Sequence, residues 1–456
     1  MKNVAVILAG GVGSRMGYSL PKQFYKVAGK TVIEHTIDAF EKNHHIDEIA
    51  IVMNPSCIDQ MEGIILRNPW KKVKKLLKGG EERYLSTLSA IKAYEGEGEL
   101  NMLFHDAVRP LVSQRIINDV VEAMGRHDAV DVAVTATDTI ISVDESGQVI
   151  TGIPQRKYLR RGQTPQAFKL SVVSEAYRRA LTDPAFVSTD DCGTVAKYMP
   201  EVSIHVVEGS ESNMKLTYKE DTYLLDKLFQ LHGTDVHDTD FSRLEGKVIV
   251  VFGGNSGIGE VLASLARKYG AKVYTFSRST TGTDIANRED VRKALQSIVN
   301  DGCGTIDYVV NSAAILSKEP LMDMSEERID MIIDTNYRGM VNVAVLSHDY
   351  LAKSQGQLLL YTSSSYTRGR AFYSLYSSTK AAVVNFMQAL SQEWDSDGIR
   401  VNVINPERTK TPMRVKNFGV EPDDTLLKAE EVATVSLNTL LSDFTGQVVD
   451  VKIKKC

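Results

Sequence analysis

A tyrosine and a lysine four residues apart form a pair with a clear chemical meaning. Tyr376 and Lys380 stand at positions i and i+4 of a helix-like segment, so both side chains lie on one helix face. A ketone that accepts a hydride needs a proton at its oxygen, and a nearby ammonium that stabilises phenolate makes a tyrosine an effective donor. The pair is suited to giving a proton to a ketone, with Tyr376 as the donor, but a tyrosine and a lysine at this spacing, taken alone, are more often a solvated helix face.

Two glycine-rich loops each follow a short apolar run and precede a helix-like segment. The first contains Gly10, Gly11 and Gly13 after the run 4–9, and the second covers residues 253–259 after the run 248–252. Glycines let backbone N–H groups approach phosphate oxygens closely at the start of a helix. We therefore expect two nucleotide sites.

Two cations lie near the first loop, namely Arg15 and Lys22. Attack of a phosphate oxygen on the α-phosphorus of a nucleotide builds negative charge on the phosphorus oxygens and on the departing pyrophosphate. Two fixed cations together with Mg²⁺ suit that chemistry. A glycine turn with solvated Arg15 and Lys22 is the alternative that this loop alone leaves open.

The elements that must position these groups repeat along both halves of the 456-residue chain. Apolar runs of strand length recur at 4–9, 49–52, 102–104 and 130–134, and again at 248–252, 273–276, 308–310, 358–361 and 401–404. Strands that alternate with helical segments favour two doubly wound α/β sheets. The polar stretch between them predicts domains at 1–232 and 246–456 joined by a linker at 233–245.

Composition narrows the class of protein. With 43% hydrophobic residues, 24% charged residues, a net charge of -5 and a pI near 6.0, the chain has no basic excess that would favour nucleic acid. The cysteines at 57, 192, 303 and 456 have no metal-type spacing and fit reduced thiols. The sequence has no apolar stretch long enough to indicate export or membrane spanning. We expect a cytoplasmic enzyme that acts on small molecules.

Residues 2–230 resemble the sugar-alcohol phosphate cytidylyltransferases. Five ordered segments carry the resemblance beyond the first loop: Gly79-Gly80-Glu81-Glu82-Arg83 with Ser86, His105-Asp106-Ala107-Val108-Arg109-Pro110, Thr164-Pro165-Gln166, Thr189-Asp190 and Asn213-Met214-Lys215-Leu216-Thr217. The resemblance implies catalytic roles for Arg15, Lys22 and Lys215. It implies CTP binding by Leu8, Ala9, Gly10, Gly11, Gly13, Gly80, Arg83, Ser86 and Asp106, with Asp106 also facing the metal. It implies acceptor binding by Arg109, Arg156 and Thr164.

The choice of acceptor rests on finer features of that half. The doubled glycine at 10–11, the segment 162–166 and Ile140-Ile141 resemble the ribitol-phosphate branch. The methylerythritol-phosphate branch usually has lysine where Ile141 stands, and a Glu-Ala run where Asp191-Cys192-Gly193 stands. The resemblance therefore favours ribitol 5-phosphate as the acceptor.

Residues 246–415 resemble the short-chain dehydrogenase/reductase family. By that resemblance, Ser363 would hydrogen-bond the substrate oxygen, Asn336 would anchor a water in the proton relay, and Tyr376 and Lys380 complete the catalytic set. Cofactor binding is implied for Gly253, Asn255, Ser256, Gly257, Ile258, Gly259, Arg278, Asp284, Ile285, Asn311, Ala313, Tyr376, Lys380 and Thr411. Arg278 stands where an acidic residue would hold the ribose of NAD, which favours NADPH. Glu407 and Ala314 depart from the usual glycines, and Arg368, Arg370 and Arg408 remain open candidates for the sugar phosphate.

The two halves together resemble the bifunctional ribulose 5-phosphate reductase/CDP-ribitol pyrophosphorylase family. The resemblance implies reduction of ribulose 5-phosphate with NADPH, then cytidylyl transfer from CTP to ribitol 5-phosphate, in a homodimer. The CDP-ribitol would feed capsule or teichoic-acid-like polymers. The alternatives are a methylerythritol-phosphate cytidylyltransferase fused to an unrelated reductase, and a nucleotide-binding regulatory protein.

Overall fold

The computed structural model describes residues 1–11, 21–232 and 240–453. The chain forms two compact units, Met1–Leu225 and Asp226–Cys456, which are described separately below. The linker expected at 233–245 falls largely outside the described residues, as do Gly13, Arg15 and Cys456. The domain boundaries at 232 and 246 therefore stay a prediction.

The first unit is built on one large sheet with helices on both faces. Its strands are β1 (Asn3–Ala9), β2 (Lys26–Val27), β3 (Lys30–Thr31), β4 (Glu48–Met53), β5 (Val73–Lys78), β6 (Asn101–Asp106), β7 (Ala129–Thr135), β8 (Ser142–Val143), β9 (Ile150–Gly152), β10 (Arg160–Gly162), β11 (Gln166–Lys169) and β12 (Ile204–Glu208). Its helices are α1 (Val32–Glu41), α2 (Ile58–Arg67), α3 (Arg83–Ala93), α4 (Gln114–Met124), α5 (Leu170–Ala180) and α6 (Asp191–Tyr198). The next helix, α7 (Glu220–His232), contains the boundary between the two units.

The large sheet has the order β10-β7-β11-β6-β1-β4-β5, with β12 also beside β7. The pairs β1–β4, β1–β6, β4–β5 and β7–β12 are parallel, whereas β11 is antiparallel to both β6 and β7. The expected doubly wound α/β sheet is confirmed, with antiparallel members on one side. Alternate residues of β1 face opposite clusters of buried side chains, which is why residues 4–9 read as a continuous apolar run.

The second unit is built on a fully parallel sheet. Its strands are β13 (Val248–Phe252), β14 (Lys272–Phe276), β15 (Tyr308–Asn311), β16 (Gln357–Tyr361), β17 (Arg400–Pro406) and β18 (Val448–Val451). Its helices are α8 (Gly257–Lys268), α9 (Arg288–Asn300), α10 (Glu326–Ile333), α11 (Gly339–Ser354), α12 (Ser374–Glu393), α13 (Pro412–Phe418) and α14 (Ala429–Leu441). The order β14-β13-β15-β16-β17-β18 places the topological switch beside β13, where ligands bind in such sheets.

Candidate active sites

The first unit has a cavity of about 160 Å³ at the carboxyl ends of β1 and β6. Ten residues that the sequence assigns to nucleotide binding or catalysis line it: Leu8, Ala9, Gly10, Gly11, Lys22, Gly80, Arg83, Ser86, Asp106 and Lys215. Segments far apart in sequence therefore meet at one place. Gly13 and Arg15, which were assigned to the same site, lie outside the described residues.

The Ser86 hydroxyl is enclosed by two glycines. A Cβ atom on Gly10 would lie 2.7 Å from Ser86 Oγ, and one on Gly79 would lie 2.8 Å from the same oxygen. These distances are shorter than real Cβ contacts allow, so the close approach needs glycine at both positions. Ser86 is buried at the start of α3, where its hydroxyl can face a base held above the loop.

Asp106 is surrounded by three cations. Its carboxylate lies 3.0 Å from Lys215 Nζ, 3.3 Å from Arg109 Nε and 3.9 Å from Arg83 Nε. Burial alone would raise the pKa of Asp106, but the charges of Lys215, Arg83 and Arg109 outweigh it and hold the pKa well below its usual range. Asp106 is therefore an anion at any physiological pH, and its charge holds the three surrounding cations close together.

Sequence reasoning missed Asp191, which anchors Arg83 from behind. The fully buried carboxylate of Asp191 accepts hydrogen bonds from the Arg83 guanidinium, from Thr87 Oγ1 at 2.8 Å and from Tyr177 Oη at 2.6 Å. Burial would lower the pKa of Arg83, but the carboxylates of Asp191 and Asp106 outweigh that effect and raise it. Arg83 therefore stays charged and is clamped between two carboxylates.

Two of the three residues assigned to the acceptor brace Asp106 instead of lining the cavity. Thr164 Oγ1 accepts a hydrogen bond from the Asp106 amide at 3.1 Å and is 3.0 Å from His105 Nδ1. Arg109 Nη1 donates to the Asn213 carbonyl at 2.7 Å. The third, Arg156, is exposed beside the hairpin β8–β9 and donates to the Thr137 carbonyl. Within this chain, none of the three lines the cavity, so their acceptor roles stay predictions.

Two lysines present positive charge to the cavity from different segments. Lys22 begins a short 3₁₀ turn, Lys22–Phe24, and its Nζ donates to the Leu216 carbonyl at 3.1 Å. Lys215, next to that carbonyl in sequence, holds Asp106. Lys22 thus contacts the residue that follows Lys215, and this contact explains why both lysines lie at the same cavity.

The second unit has a larger cavity of about 480 Å³ above the carboxyl ends of its strands. Thirteen residues assigned from the sequence line it: Gly253, Ser256, Gly257, Ile258, Gly259, Arg278, Asp284, Ile285, Ala313, Ser363, Tyr376, Lys380 and Thr411. The cavity thus extends from the glycine loop to the proposed proton donor. Asn255, Asn311 and Asn336 stand behind this lining.

On α12 the Lys380 side chain is buried and the Tyr376 side chain is half-buried. Burial raises the pKa of Tyr376 to about 12, and a hydrogen bond with Ser363 partly offsets the increase. Burial lowers the pKa of Lys380 to about 8. Lys380 Nζ donates to the Tyr361 carbonyl at 2.8 Å and lies 5.6 Å from the centre of the Tyr376 ring. Tyr376 therefore carries its proton at neutral pH, as a general acid must.

The Asn336 side chain braces two neighbouring segments. Its Oδ1 accepts from the Ile315 amide at 2.7 Å, and its Nδ2 donates to the Ile315 carbonyl at 2.9 Å and to Thr379 Oγ1 at 3.3 Å. Asn336 lies in the π-helical turn Asp334–Arg338, and such turns are frequent at functional sites. The amide holds the segment after β15 against α12, so a water of the proton relay would have to use other atoms of this turn.

The glycine loop after β13 packs directly on the segment after β15. A Cβ atom on Gly253 would lie 2.6 Å from the Ala313 amide nitrogen, and one on Gly259 would lie 2.4 Å from the Gly253 carbonyl oxygen. The buried Asn255 Oδ1 has no hydrogen-bond partner among the described residues. A tight loop with an unsatisfied polar atom fits a bound dinucleotide, and Asn311 Oδ1 supports it by accepting from the Ala313 amide.

Arg278 follows β14 at the far side of the glycine loop. Its Nη1 lies 4.0 Å from Asp284 Oδ2, and both side chains line the cavity. The carbonyl of Ile285 accepts from Asn342 Nδ2 at 3.0 Å, which fixes the segment next to Asp284. This end of the cavity can hold an adenosine with a charged group on its ribose.

Comparison with known proteins agrees with this two-site arrangement. Residues 3–230 match the family of 2-C-methyl-D-erythritol 4-phosphate cytidylyltransferase, and residues 247–420 match the short chain dehydrogenase family. A bifunctional ribulose 5-phosphate reductase/CDP-ribitol pyrophosphorylase of Haemophilus influenzae is 46% identical over 99% of this chain and 96% of its own length. The chain belongs to that bifunctional family. It is an enzyme with a cytidylyltransferase half and a short-chain reductase half that uses a nicotinamide cofactor.

Other relatives match one half only. A 2-C-methyl-D-erythritol 4-phosphate cytidylyltransferase of Thermobifida fusca is 42% identical over 50% of this chain and 92% of its own length. The crystal structure of 4-diphosphocytidyl-2C-methyl-D-erythritol synthase from Anaerococcus prevotii covers 50% of this chain and 98% of its own, with 29% identity and a TM-score of 0.45.

Proposed function

We propose that the chain catalyses two consecutive reactions that end in CDP-ribitol. In the second unit, the ketone of D-ribulose 5-phosphate is reduced to D-ribitol 5-phosphate, with NADPH as the hydride donor. In the first unit, a phosphate oxygen of ribitol 5-phosphate attacks the α-phosphorus of CTP and releases pyrophosphate. The observation that carries the proposal is the presence of both lined cavities in a chain whose bifunctional relative matches it along nearly its whole length.

The reductase residues divide the work of the first reaction. NADPH, when bound, supplies the hydride that reaches the ketone carbon. Tyr376 gives its proton to the ketone oxygen, and Ser363 hydrogen-bonds the tyrosine and the same oxygen. Lys380 keeps positive charge beside the phenolate that forms, and Asn336 fixes the segment on which this geometry depends.

The transferase residues stabilise negative charge in the second reaction. The backbone at Gly10 and Gly11 receives the triphosphate, while Ser86 and Gly80 face the cytosine. Lys22 and Lys215 neutralise the charge that develops on the phosphorus oxygens and on pyrophosphate. Arg15 belongs to this proposal from its sequence position alone, and Arg83 and Asp106 hold the set in place.

A magnesium ion fits this donor set only as a partner of the phosphates. Mg²⁺ in such sites is held by one or two carboxylates and by substrate phosphates. Asp106 is the carboxylate that would hold it, and no group of three or more His, Cys, Asp or Glu residues is assembled in the parts of the chain that the structure describes. The ion would neutralise triphosphate charge.

The preference for NADPH over NADH is a further part of the proposal. Arg278 lines the cavity after β14, where a guanidinium can bind a 2′-phosphate through two hydrogen bonds. Asp284 is 4.0 Å away and half-exposed, so it does not fully neutralise that charge.

The proposal also includes the oligomeric state, the location and the use of the product. The enzyme would be a homodimer in the cytoplasm, and its CDP-ribitol would be used to build a polymer such as capsule or teichoic acid. The hairpin β8–β9 and its flanks expose Ile140, Ile141, Val143, Val149 and Ile150, which a second subunit could cover. Among the described helices, none is long and apolar enough to cross a bilayer.

Initial rates with two reporters test the proposed function. The purified chain is given ribulose 5-phosphate, NADPH, CTP and Mg²⁺ while NADPH absorbance and pyrophosphate release are followed. We expect both signals, with pyrophosphate release from ribitol 5-phosphate far faster than from methylerythritol 4-phosphate. Untouched NADPH together with pyrophosphate release from methylerythritol 4-phosphate would support the alternative acceptor. Bound NADPH with no turnover of any pentulose phosphate would support a regulatory role.

A further inference from the structure

The reductase cavity is basic on both sides of its glycine loop. Arg278 follows β14, while Arg370 and Arg408 follow β16 and β17, and all three line the same cavity. Because β13 lies between β14 and the pair β16–β17 in the sheet, the two groups of arginines flank the cofactor loop. The Arg278 side has the 2′-phosphate as its proposed ligand, which leaves the other side without an assigned anion.

Arg414, which also lines this cavity, is already neutralised by a carboxylate. Its Nε and Nη2 donate to Glu421 at 2.6 and 2.8 Å, and its guanidinium stacks on the Phe418 ring at 3.8 Å. Arg408 Nη1 lies 3.9 Å from the same carboxylate, at the limit of an ion pair. Glu421 therefore compensates Arg414 fully and Arg408 only weakly.

Arg370 is held by neutral groups. Its Nη2 donates to Ser364 Oγ at 3.0 Å and its Nη1 donates to Tyr373 Oη at 3.4 Å. Throughout the described residues, its guanidinium forms no ion pair with an acidic side chain within 4.0 Å. Arg370 is exposed to solvent at the cavity, and its charge is held by two hydroxyl groups without a compensating carboxylate.

The two partners of Arg370 adjoin the proton-donating residues. Ser364 follows Ser363 in sequence, and the Tyr373 ring packs edge-on against the Tyr376 ring with 6.5 Å between their centres. A molecule whose carbonyl oxygen meets Ser363 and Tyr376 would therefore place a second group near Arg370. Arg368, two residues away in sequence, is exposed and does not line the cavity.

We propose that Arg370, assisted by Arg408, binds the phosphate of the reductase substrate and selects phosphorylated over unphosphorylated ketoses. The inference rests on the proposed function, since it names the residues that recognise the substrate of that same site. A guanidinium forms paired hydrogen bonds with phosphate oxygens, and neutral hydroxyl partners can be exchanged without leaving a buried carboxylate unpaired. In ribulose 5-phosphate three carbons and the ester oxygen lie between the ketone carbon and the phosphorus, so the phosphate can reach a subsite near the proton donor.

The test compares Arg370→Gln, Arg370→Lys and Arg408→Gln with the matched control Arg368→Gln. NADPH oxidation is measured with D-ribulose 5-phosphate and with unphosphorylated D-ribulose. We expect Arg370→Gln to lower kcat/KM for the phosphorylated substrate by roughly 10- to 100-fold, chiefly through KM. Arg370→Lys should lose less, Arg408→Gln should lose less than Arg370→Gln, and Arg368→Gln should match wild type.

The unphosphorylated substrate separates recognition from damage to the site. Its kcat/KM should change by less than about threefold in Arg370→Gln, because it lacks the group that Arg370 binds. An equal loss with both substrates, or unchanged kcat/KM for ribulose 5-phosphate, would overturn the inference.

A second measurement does not depend on turnover. Inorganic phosphate is titrated into the NADPH complex of each variant while the fluorescence of the bound NADPH is followed, which reports the reductase site alone. We expect phosphate to bind wild type and Arg368→Gln alike and Arg370→Gln roughly 10-fold more weakly. Equal phosphate binding by Arg370→Gln would refute the subsite. If wild type binds phosphate through Arg370 but does not reduce ribulose 5-phosphate, the proposed function fails and the anion subsite stands.

Discussion

The transferase site and the reductase site handle buried charge in opposite ways. In the first unit, Asp106 is matched by Arg83, Arg109 and Lys215, and their charges determine its lowered pKa. In the second unit, Tyr376 and Lys380 have neutral hydrogen-bond partners, and burial moves their pKa values to about 12 and about 8. Ion pairs therefore set the pKa of the central group in the transferase site, whereas desolvation sets the pKa values in the reductase site.

The difference follows from what each reaction needs. A site for triphosphate and pyrophosphate must keep several cations close together, and a central carboxylate reduces their mutual repulsion. A site that delivers one proton must keep a neutral donor beside a cation that stabilises the anion left behind. Four predictions test this contrast, from the largest effect to the smallest.

The largest effect is expected for Lys380→Met in the reductase. Loss of the ammonium should slow NADPH oxidation by about 10²- to 10⁴-fold, the range for one acid–base group. The free energy of unfolding of the second unit should change by less than about 1.5 kcal/mol, since the lost hydrogen bond to Tyr361 is offset by removal of a buried charge.

Urea denaturation and NADPH kinetics measure both quantities, with the exposed Lys353→Met as control. A large loss of stability in Lys380→Met alone would show that Lys380 is held by an ion pair after all.

The second prediction concerns Asp106→Asn in the transferase. The substitution takes the ion-pair partner from Arg109 and Lys215 and leaves Arg83 with Asp191 alone, so the first unit should lose about 3–5 kcal/mol of unfolding free energy. Pyrophosphate release should fall while NADPH oxidation is retained. Urea denaturation measures the loss of stability, and Asp59→Asn, which changes an exposed aspartate on α2, is the matched control. Wild-type stability in Asp106→Asn would mean that the cations do not need this carboxylate.

The third prediction concerns Asp191→Asn, the anchor of Arg83. Asparagine keeps the shape of the side chain but loses the charge, so we expect about 1–3 kcal/mol of destabilisation and roughly 10-fold lower kcat/KM for CTP. Thr87→Val removes one hydroxyl donor to Asp191 and leaves the ion pair, so it should cost less. Equal CTP kinetics in wild type and Asp191→Asn would contradict the anchoring role.

The fourth prediction is a pH profile for each reaction. The lowered pKa of Lys380 means that it loses its proton above about pH 8, so kcat/KM for ketone reduction should decline there, by at most about tenfold per pH unit. The lowered pKa of Asp106 keeps it ionised as pH falls, so it should add no acid limb to pyrophosphate release. Reduction that stays constant from about pH 7 to pH 9.5 would contradict the assignment of Lys380.

Local sequence patterns predicted most of the fold, and the family resemblances implied most residues of the inner lining of both cavities. Residues 248–252 were predicted as a strand and form β13 (Val248–Phe252), because a parallel strand buried on both faces reads as an unbroken apolar run. Tyr376 and Lys380 share α12 as expected from their spacing. The antiparallel strand β11 was not predicted, since its direction depends on which strands it joins.

The sequence could not predict contacts between distant segments. Asp191 meets Arg83 across 108 residues, and nothing around either residue marks the pairing. Asn336 was expected to anchor a water, and the structure shows in addition that its side-chain amide donates a hydrogen bond to the Ile315 carbonyl in another segment. Arg370 was one of three equivalent arginines until its hydroxyl partners and its place in the cavity distinguished it.

The most direct test of the two-reaction account is a mixing experiment read by mass spectrometry of CDP-ribitol. Tyr376→Phe and Lys22→Ala are each incubated with ribulose 5-phosphate, NADPH, CTP and Mg²⁺, alone and together. The account predicts little or no product from either variant alone and CDP-ribitol from the mixture, because ribitol 5-phosphate made by one variant is used by the other. Full product from Tyr376→Phe alone, or none from the mixture while wild type makes it, would contradict two separate consecutive sites.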